Sequence, residues 1–257
     1  MKKLIILAVE FMLFIPMLHA QDTLRIMTYN ISAGEMADMQ QLGSYINSIH
    51  PDIVALQEVD YQTNRSYRPK DRGKNQPGEL AYYTNMLPVF GKSIPMADGG
   101  YYGIGCLSKH PITGVDIVRL PQKIEQEPRV MTIITCDVDG TPITVVSTHL
   151  GLNITNREIQ MKYIQKYIKK HKGIKIICGD FNSTPEEGLV QSIFTKWNDA
   201  LPANTYTFPN TKATKKYDYM LYEQKYPDLI VNAQVDSTCQ LSDHLPCYID
   251  IVIPSSK

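Results

Sequence analysis

The sequence has no excess of either charge and no linker-like segment, and each absence excludes a class of protein. Lys and Arg together number 26, as do Asp and Glu. Proteins that bind nucleic acid through general electrostatic attraction usually have a marked basic excess, so this balance does not favour them. No Gly/Ser-rich stretch, low-complexity tract or internal repeat interrupts the 257 residues, which predicts one large domain, although the length alone would allow two.

The five cysteines lack the spacing of a metal site or a disulfide scaffold. Cys106, Cys136 and Cys178 lie in apolar runs, where a free cysteine behaves as a small buried hydrophobe. Cys239 and Cys247 flank a polar segment and could pair in an oxidising compartment. Without two close Cys-X-X-Cys pairs, a zinc site of the usual kind is excluded.

The longest apolar run lies at the N terminus and predicts a signal peptide over residues 1–20. The run extends from Leu4 to Leu18, is broken by Glu10 and Pro16, and leads to a plausible cleavage site after Ala20. An uncleaved anchor is the alternative, but the run is short and interrupted for a membrane span. No cysteine follows the site, which argues against a lipoprotein. We therefore expect an exported protein, periplasmic or secreted, without a transmembrane anchor after cleavage.

The remaining residues, 21–257, are expected to form one α/β domain, with 24 basic and 25 acidic side chains once Lys2, Lys3 and Glu10 are removed. Strands are predicted at Leu24–Asn30, Ile53–Val59, Gly103–Ser108, Val130–Val138, Ile143–Thr148, Ile174–Cys178, Tyr217–Tyr222, Leu229–Val235 and Pro246–Ile253. Asp139-Gly140 is typical of a tight hairpin, so antiparallel neighbours are part of the architecture.

Helical patterns lie at about Met36–Ile49, Glu79–Met86 and Asn156–Lys170. The third pattern is preceded by a capping box, Thr155 to Glu158, and its apolar face is expected to pack in the core. A second capping box, Thr184 to Glu187, indicates another helix start. The stretch from Leu87 to Tyr102 is interpreted as a possible rim loop. The fold class is therefore mixed sheets covered by helices.

The most informative stretch is Ile174 to Asn182, where a buried-strand pattern ends at Gly179 and is followed by Asp180 and Asn182. An acid at the end of a buried strand is costly unless a charged or hydrogen-bonded partner uses it. Strand-to-helix loops are also where α/β proteins often place their chemistry. This stretch therefore predicts part of a functional site.

Polar side chains end several other predicted strands in the same way. They are Asn30, Glu58, His149, Asp218, Asp243 and His244. Carboxylate and amide oxygens of this kind suit Mg²⁺ or Mn²⁺ better than zinc. Histidines beside them can transfer protons and stabilise developing charge. Each residue alone also has a purely structural interpretation, and it is their joint placement that indicates function.

Six short motifs, taken in order, resemble the endonuclease/exonuclease/phosphatase (DNase I-like) family. They are Thr28-Tyr29-Asn30, Leu56-Gln57-Glu58-Val59-Asp60, Ser147-Thr148-His149-Leu150, Gly179-Asp180-Phe181-Asn182, Tyr217-Asp218-Tyr219 and Ser242-Asp243-His244-Leu245-Pro246. The resemblance implies a four-layer sandwich of two mixed β-sheets flanked by helices. It also implies metal-dependent hydrolysis of a phosphate ester by attack of water.

The resemblance assigns a role to each motif residue. Glu58 resembles the principal metal ligand, with Asn30 and Asp243 close to the metal, which would be Mg²⁺ or alternatively Mn²⁺. Asp180 resembles the residue that orients or deprotonates the attacking water. Asn182 resembles one that holds the phosphate and the nucleophile.

Two histidines complete the site that the resemblance implies, and two arginines are candidates for substrate binding. His244 resembles the residue that contacts the scissile phosphate, with Asp218 fixing its tautomer. His149 would contact a phosphate oxygen or assist the leaving group. Arg129 could reach the phosphate or form a structural ion pair. Arg65 is a weaker candidate for substrate binding, in a basic stretch between Asn64 and Lys74.

The substrate does not follow from the fold, because one fold serves many activities. We expect a Mg²⁺-dependent phosphoric ester hydrolase, monomeric, acting on a small-molecule or lipid-derived phosphodiester or phosphomonoester. The first alternative is an extracellular or periplasmic nuclease that cleaves DNA or RNA. Two basic loops, 64–74 and 212–216, would attract an anionic substrate if they overhang the site, and solvated loops are the alternative interpretation. The second alternative is a non-catalytic binding module on the same fold.

Overall fold

The computed structural model describes residues 23–65 and 71–253, so the predicted signal peptide and residues 66–70 of the first basic loop lie outside the described residues. The twelve strands of this part of the chain are β1 Thr23–Asn30, β2 Ile53–Tyr61, β3 Leu87–Pro95, β4 Tyr101–Ser108, β5 Ile112–Arg119, β6 Val130–Val138, β7 Thr141–His149, β8 Ile174–Asp180, β9 Trp197–Asp199, β10 Asp218–Glu223, β11 Ile230–Val235 and β12 Cys247–Val252. Its α-helices are α1 Met39–Ile49, α2 Gln76–Thr84, α3 Ile154–Tyr167 and α4 Leu189–Ile193.

The strands form two six-stranded mixed sheets, in the orders β11-β12-β1-β2-β4-β3 and β5-β6-β7-β8-β10-β9. Three separate apolar cores divide the molecule into layers. Residues such as Ile26 and Val145 fill the core between the sheets. Leu42 of α1 packs on the outside of the first sheet, and Met161 of α3 on the outside of the second. The predicted α/β four-layer sandwich is confirmed.

Both sheets have one parallel pair at their centre, and these two pairs position the site. β1 runs parallel to β2, with α1 between them in the chain, and β7 runs parallel to β8, with α3 between them. In the first pair Asn30 lies opposite Gln57, and in the second His149 lies opposite Asp180. The carboxyl ends of parallel strands share one edge of a sheet, so the polar side chains that end them meet there.

The predicted hairpin at Asp139-Gly140 is confirmed. Val138 pairs with Thr141, and the two turn residues both have positive φ, 50° and 81°. This is the geometry that a type I′ turn requires, and it matches the twist of the flanking strands.

The helix starts differ from those predicted because asparagine and aspartate cap the helices. Asp38, Asn75 and Asn153 each accept a backbone N–H in the first turn of α1, α2 and α3. The proposed capping box at Thr155 is therefore wrong. Thr184 also makes no side-chain cap, and only a 3₁₀ turn, Pro185–Glu187, follows it before α4. The apolar face of α3 packs in the core as expected, with Ile164 and Ile168 buried.

Three edge strands were not predicted as strands, and one of them, β9, pairs with β10 at an edge of the second sheet. β3 occupies most of the stretch interpreted as a rim loop, and pairs with β4 at the edge of the first sheet. β5 lies at the edge of the second sheet and pairs with β6. All five cysteines are buried free thiols, so Cys239 and Cys247 do not form a disulfide. In the described ranges no helix is long and apolar enough to cross a membrane.

Candidate active site

The end of β2 is distorted where it presents Glu58. The register with β4 shifts between Leu56 and Val59, and Glu58 has a φ of 54°. A non-glycine residue in this left-handed region is uncommon, and such strain concentrates at functional sites. The bulge turns the Glu58 carboxylate toward Asn30 at the end of β1, whose Nδ2 donates to Glu58 Oε1 at 3.1 Å.

Gly179 allows β7 and β8 to approach closely just before Asp180. Its φ is 136°, and a Cβ there would lie 2.0 Å from the carbonyl oxygen of Thr148. Only glycine fits this backbone contact without a shift of the strands. The close approach places His149 directly opposite Asp180 in the parallel ladder.

The carboxylate of Asp180 is the centre of the site. It is 2% exposed. Oδ1 accepts the backbone N–H of Asn182 at 2.8 Å, and Oδ2 accepts Nδ2 of Asn30 at 3.2 Å. The Nε2 atoms of His149 and His244 lie 3.4 and 3.5 Å from the same Oδ2. Three side chains from distant parts of the chain therefore converge with a neighbouring backbone N–H on one carboxylate.

Burial raises the pKa of Asp180 above the usual range of an aspartate. The His244 imidazole opposes this rise, and the neighbouring carboxylate of Asp218 adds to it. A carboxylate with a raised pKa holds a proton more strongly, and so accepts one from a nearby water more readily.

His244 forms a buried pair with Asp218, with 2.8 Å between Nδ1 and Oδ2. Burial by itself would lower the pKa of His244, but the negative charges of Asp218 and Asp180 outweigh it and raise the pKa. The imidazolium form is thereby favoured. Its Nε2 faces the Asp180 carboxylate, and the ring lies 4.9 Å from that of Phe208.

His149 is in the opposite state. Burial lowers its pKa well below the ordinary value, and the positive charges of Arg129 and His244 lower it further. Its Nδ1 is buried without a hydrogen-bond partner among the residues described. The site therefore combines a neutral imidazole that has an unused nitrogen with a charged imidazole that is held by a carboxylate.

The side chains expected to bind a metal lie at one corner of the site. Burial raises the pKa of Glu58, the hydrogen bond from Asn30 opposes the rise, and the charge of Asp243 adds to it. Ser242 holds this corner, because its Oγ donates to Asn30 O at 2.7 Å and lies 3.3 Å from Asp243 Oδ1. Within residues 23–65 and 71–253, no three His, Cys, Asp or Glu side chains are grouped tightly enough to form a metal cluster by themselves.

This donor set fits Mg²⁺, which usually keeps several waters and takes only one or two carboxylates from the protein. The negative charge of Asp243 beside Glu58, which helps to raise the pKa of Glu58, also favours a cation between them. Glu58 and Asp243, with the amide oxygen of Asn30, are the groups that would hold it.

The two candidate arginines are placed differently. Arg129 is buried beside His149 and Tyr102, with Nη1 2.9 Å from Glu127 Oε1 and no partner for Nε among the described residues. Arg65 lies over the ring of Tyr102, and its guanidinium pairs with Asp60 at 2.7 Å. Arg129 therefore lines the site, whereas the charge of Arg65 is already neutralised by a carboxylate.

The second basic loop supplies less charge to the surface than predicted. Lys216 is fully buried, where its Nζ lies 2.5 Å from Asp199 Oδ2 and donates to the carbonyls of Leu201 and Pro202. The expectation that it would attract an anionic substrate is wrong, because its charge is used to hold β9 beside the loop before β10. Lys212 and Lys215 of the same loop are exposed.

A polar bridge beneath the site has no counterpart among the predicted residues. Gln57 Nε2 donates to Ser147 Oγ at 3.1 Å, and Ser147 Oγ donates to the carbonyl of Leu56 at 3.2 Å. These bonds join the two sheets directly below Glu58 and His149. Gln57 and Ser147 both belong to the family-like motifs, so the sequence could have marked them as candidates. Nothing in the sequence near either residue indicates that they hydrogen-bond to each other.

Comparison with known proteins identifies the relatives of this arrangement. The model of the Endonuclease/Exonuclease/phosphatase family matches residues 27–244. A comparison with curated proteins finds no match.

Solved structures share the fold at low sequence identity. A family protein from Leptotrichia buccalis is 21% identical, with a TM-score of 0.71, and the match covers 90% of this chain and 100% of that one. A mannosyl-6-phosphatase from Bacteroides thetaiotaomicron is 14% identical, with a TM-score of 0.71 and coverage of 90% and 100%. Humanized D. rerio TDP2 is 19% identical, with a TM-score of 0.66 and coverage of 89% and 98%.

Proposed function

Because the chain belongs to the endonuclease/exonuclease/phosphatase family, we propose that it is a divalent-metal-dependent phosphoric ester hydrolase. The observation that carries the proposal is the convergence of His149, His244, Asn30 and the backbone of Asn182 on the buried Asp180 carboxylate. A buried acid with a raised pKa, beside a charged and a neutral histidine, is suited to activate water against an anionic ester.

The roles follow from the charge state of each group. Asp180 orients the attacking water and accepts its proton, because its pKa is raised. His244, kept as imidazolium by Asp218, neutralises the charge that develops on the phosphoryl oxygens. His149 is kept neutral by burial and by the charges of Arg129 and His244, so it can hydrogen-bond a phosphate oxygen or the leaving oxygen without a charge of its own.

Two more side chains border the reacting group. Asn182 uses one amide N–H to hold the carbonyl of Leu150 at 2.9 Å, which leaves its other polar atoms for phosphate and nucleophile. Arg129 is close enough to lower the pKa of His149, so its cation would also act on a phosphate bound there. We keep Arg65 as a secondary substrate contact at the outer edge, where a third of its side chain is exposed.

Glu58, Asn30 and Asp243 would hold a Mg²⁺ ion, or alternatively Mn²⁺. When bound, such an ion polarises a phosphoryl oxygen and stabilises a leaving oxygen.

The metal assignment predicts that Glu58→Gln weakens metal binding at least about 10–100-fold, the range typical even of outer-shell changes at metal sites. Mg²⁺ or Mn²⁺ should raise the Tm of the wild type, and the variant should need much more metal for the same shift. Since protons compete for Glu58, whose pKa is raised, wild-type affinity should increase as the pH rises. Thermal melts across a metal titration measure both effects.

A matched control is Glu158→Gln, which removes a carboxylate from the exposed ion pair with Lys162 on α3. Its metal titration should coincide with that of the wild type. Equal metal responses for Glu58→Gln and the wild type would rule out Glu58 as a ligand.

For the substrate, we favour a small-molecule or lipid-derived phosphodiester or phosphomonoester. The support is the absence of a basic excess in the sequence and the burial of Lys216, which removes one cation from the surface of the second loop. That a mannosyl-6-phosphatase shares the fold is compatible with a monoester. A nuclease is the alternative, supported by the exposed Lys212 and Lys215.

A panel of phosphoesters tests the proposal with purified protein lacking residues 1–20. We expect hydrolysis of bis-nitrophenyl phosphate or release of phosphate from a small ester, both abolished by EDTA. Substrate binding that falls steeply with salt would indicate many phosphate contacts and support the nuclease. No turnover of any ester with Mg²⁺ or Mn²⁺ would contradict catalysis and favour a non-catalytic binding module.

Export is a further part of the proposal, supported by the N-terminal sequence alone. The signal-like segment, residues 1–20, would direct the chain to the periplasm or the medium. We also propose a monomer without a transmembrane anchor after cleavage.

A further inference from the structure

Arg157 is a buried cation in the first turn of α3, where the helix itself does not favour it. The helix begins at Ile154 and is capped by Asn153. The start of a helix carries the positive end of the macrodipole, which disfavours cations. Arg157 is nevertheless only 5% exposed. Its position therefore requires compensation from partners outside the helix.

The first set of partners is the segment that follows His149. Arg157 Nη1 donates to the carbonyl of Leu152 at 2.6 Å. One turn further along α3, Gln160 Oε1 accepts the backbone N–H of Gly151 at 2.9 Å. Two side chains of α3 therefore hold the loop that leaves β7 immediately after the neutral histidine of the site.

The second set of partners belongs to the segment that follows Asp180. Arg157 Nη2 lies 2.8 Å from both carboxylate oxygens of Glu187. Glu187 Oε2 also accepts Ser183 Oγ at 2.7 Å, and the carbonyl of Ser183 accepts the hydroxyl of Tyr219 at 2.9 Å. Through Glu187, the guanidinium reaches the residue that directly follows Asn182.

We propose that Arg157 is a positioning residue for the hydrolysis, which holds the loop after β7 and the loop after β8 at one fixed separation and so sets the distance between His149 and Asp180. This inference rests on the proposed function. The loops are otherwise joined by two bonds at Leu150, whose N–H donates to Asp180 O and whose carbonyl accepts Asn182 Nδ2, each at 2.9 Å. Both of these bonds lie next to the reacting groups, whereas the Arg157 guanidinium contacts the two loops from helix α3.

Arginine suits this role better than lysine because its planar fork presents separate donors in fixed directions. One nitrogen is directed to each loop. The ammonium of a lysine is a single point charge and cannot reproduce both contacts. Arg157→Lys therefore keeps the positive charge but loses the two donors that are directed to the two loops.

The test compares Arg157→Lys, Arg157→Gln and Glu187→Gln with the wild type in steady-state kinetics on the best ester of the panel. Misplacing reacting groups by about 1 Å can cost about 10²-fold in rate, so we expect kcat to fall about 10–100-fold for the arginine variants, with KM nearly unchanged. Glu187→Gln should act in the same direction with a smaller loss.

Arg25 supplies a matched control. Its guanidinium also pairs with one carboxylate, Asp250, at 2.6 and 2.9 Å, and donates to one carbonyl, Ile49 O, at 2.6 Å. It lies near the start of β1, whereas Asn30 ends that strand. Arg25→Gln should lower the Tm as Arg157→Gln does and leave kcat unchanged.

Hydrogen exchange gives a readout that needs no activity. Arg157→Lys should speed exchange of the amides at 150–153 and 182–184, and Arg25→Gln should not. If Arg157→Lys changes neither kcat nor exchange at these amides, the inference is overturned. A wild type without phosphoesterase activity would contradict the proposed function alone, and the exchange data would then decide whether Arg157 holds the two loops together.

Discussion

Asp180→Asn is expected to lower kcat by about 10²–10⁴-fold, the contribution usual for a positioned acid–base group. The amide keeps the size of the carboxylate and can still accept the N–H of Asn182, but it cannot take a proton from water. Both histidines and Asn30 also face Oδ2, so the substitution disturbs the group on which the site converges. Single-turnover rates on a nitrophenyl ester measure the loss directly.

The same variant should keep or gain stability. The pKa of Asp180 is raised in the folded protein, so the folded state binds its proton more strongly than the unfolded chain does. The ionised carboxylate therefore costs stability at any pH above the unfolded value of about 3.9, and the cost is complete above the folded pKa. Asparagine carries no charge, so the variant does not bear the stability cost of a buried ionised carboxylate.

Asp250→Asn is the matched control, because Asp250 is a strand carboxylate whose pKa is lowered, first of all by its hydrogen bond with Arg25. It should lose stability and retain kcat. If Asp180→Asn retained the wild-type kcat, Asp180 would not be the group that accepts the proton from water.

Asp218→Asn is expected to lower kcat by a similar factor, about 10²–10⁴-fold, by acting through His244. The carboxylate accepts from His244 Nδ1 at 2.8 Å, which fixes the ring and favours its charged form. An amide in its place carries no charge and no longer favours the imidazolium. His244 would then lose the positive charge that neutralises the phosphoryl oxygens.

The pH profile separates this effect from simple damage to the fold. Asp218 and Asp180 raise the pKa of His244, so in the wild type the imidazolium persists well above the ordinary range of histidine. Removing the charge of Asp218 lowers that pKa. The alkaline limb of kcat/KM should therefore move to lower pH in Asp218→Asn.

A second histidine–aspartate pair outside the site provides the control. His171 Nε2 lies 3.2 Å from Asp116 Oδ2. Asp116→Asn should leave both kcat and the alkaline limb in place. An Asp218→Asn variant with an unmoved alkaline limb would mean that His244 is not the group that titrates there.

The site could be predicted where its signals are local. Gly179 and Asp180 lie at the end of an apolar run, and the costly acid can be read from the sequence alone. The fold class followed from the same kind of pattern, as did the hairpin at Asp139-Gly140. Glu58 could be named as a candidate, but its left-handed backbone depends on a bulge that forms only against β4.

Other features could not be predicted because their cause lies far along the chain. Lys216 looked like a surface cation, yet its partner Asp199 is 17 residues away. Arg157 looked like part of a capping box, and its partner Glu187 is 30 residues away. β3 contains Pro88 and Pro95, and prolines usually indicate a loop. A strand can contain them here because β3 lies at the edge of its sheet.

The pairing of β12 with β1 has a consequence for how the protein acquires activity. The last strand joins the first, and Asp243 and His244 stand just before it, so a growing chain cannot assemble the site until its C-terminal part is available. Asn30 and Asp180, 150 residues apart, must also meet. Contacts of such long sequence separation form late and slowly in folding. A nascent or unfolded chain therefore lacks the site, which is complete only once the C-terminal strand has joined the first sheet.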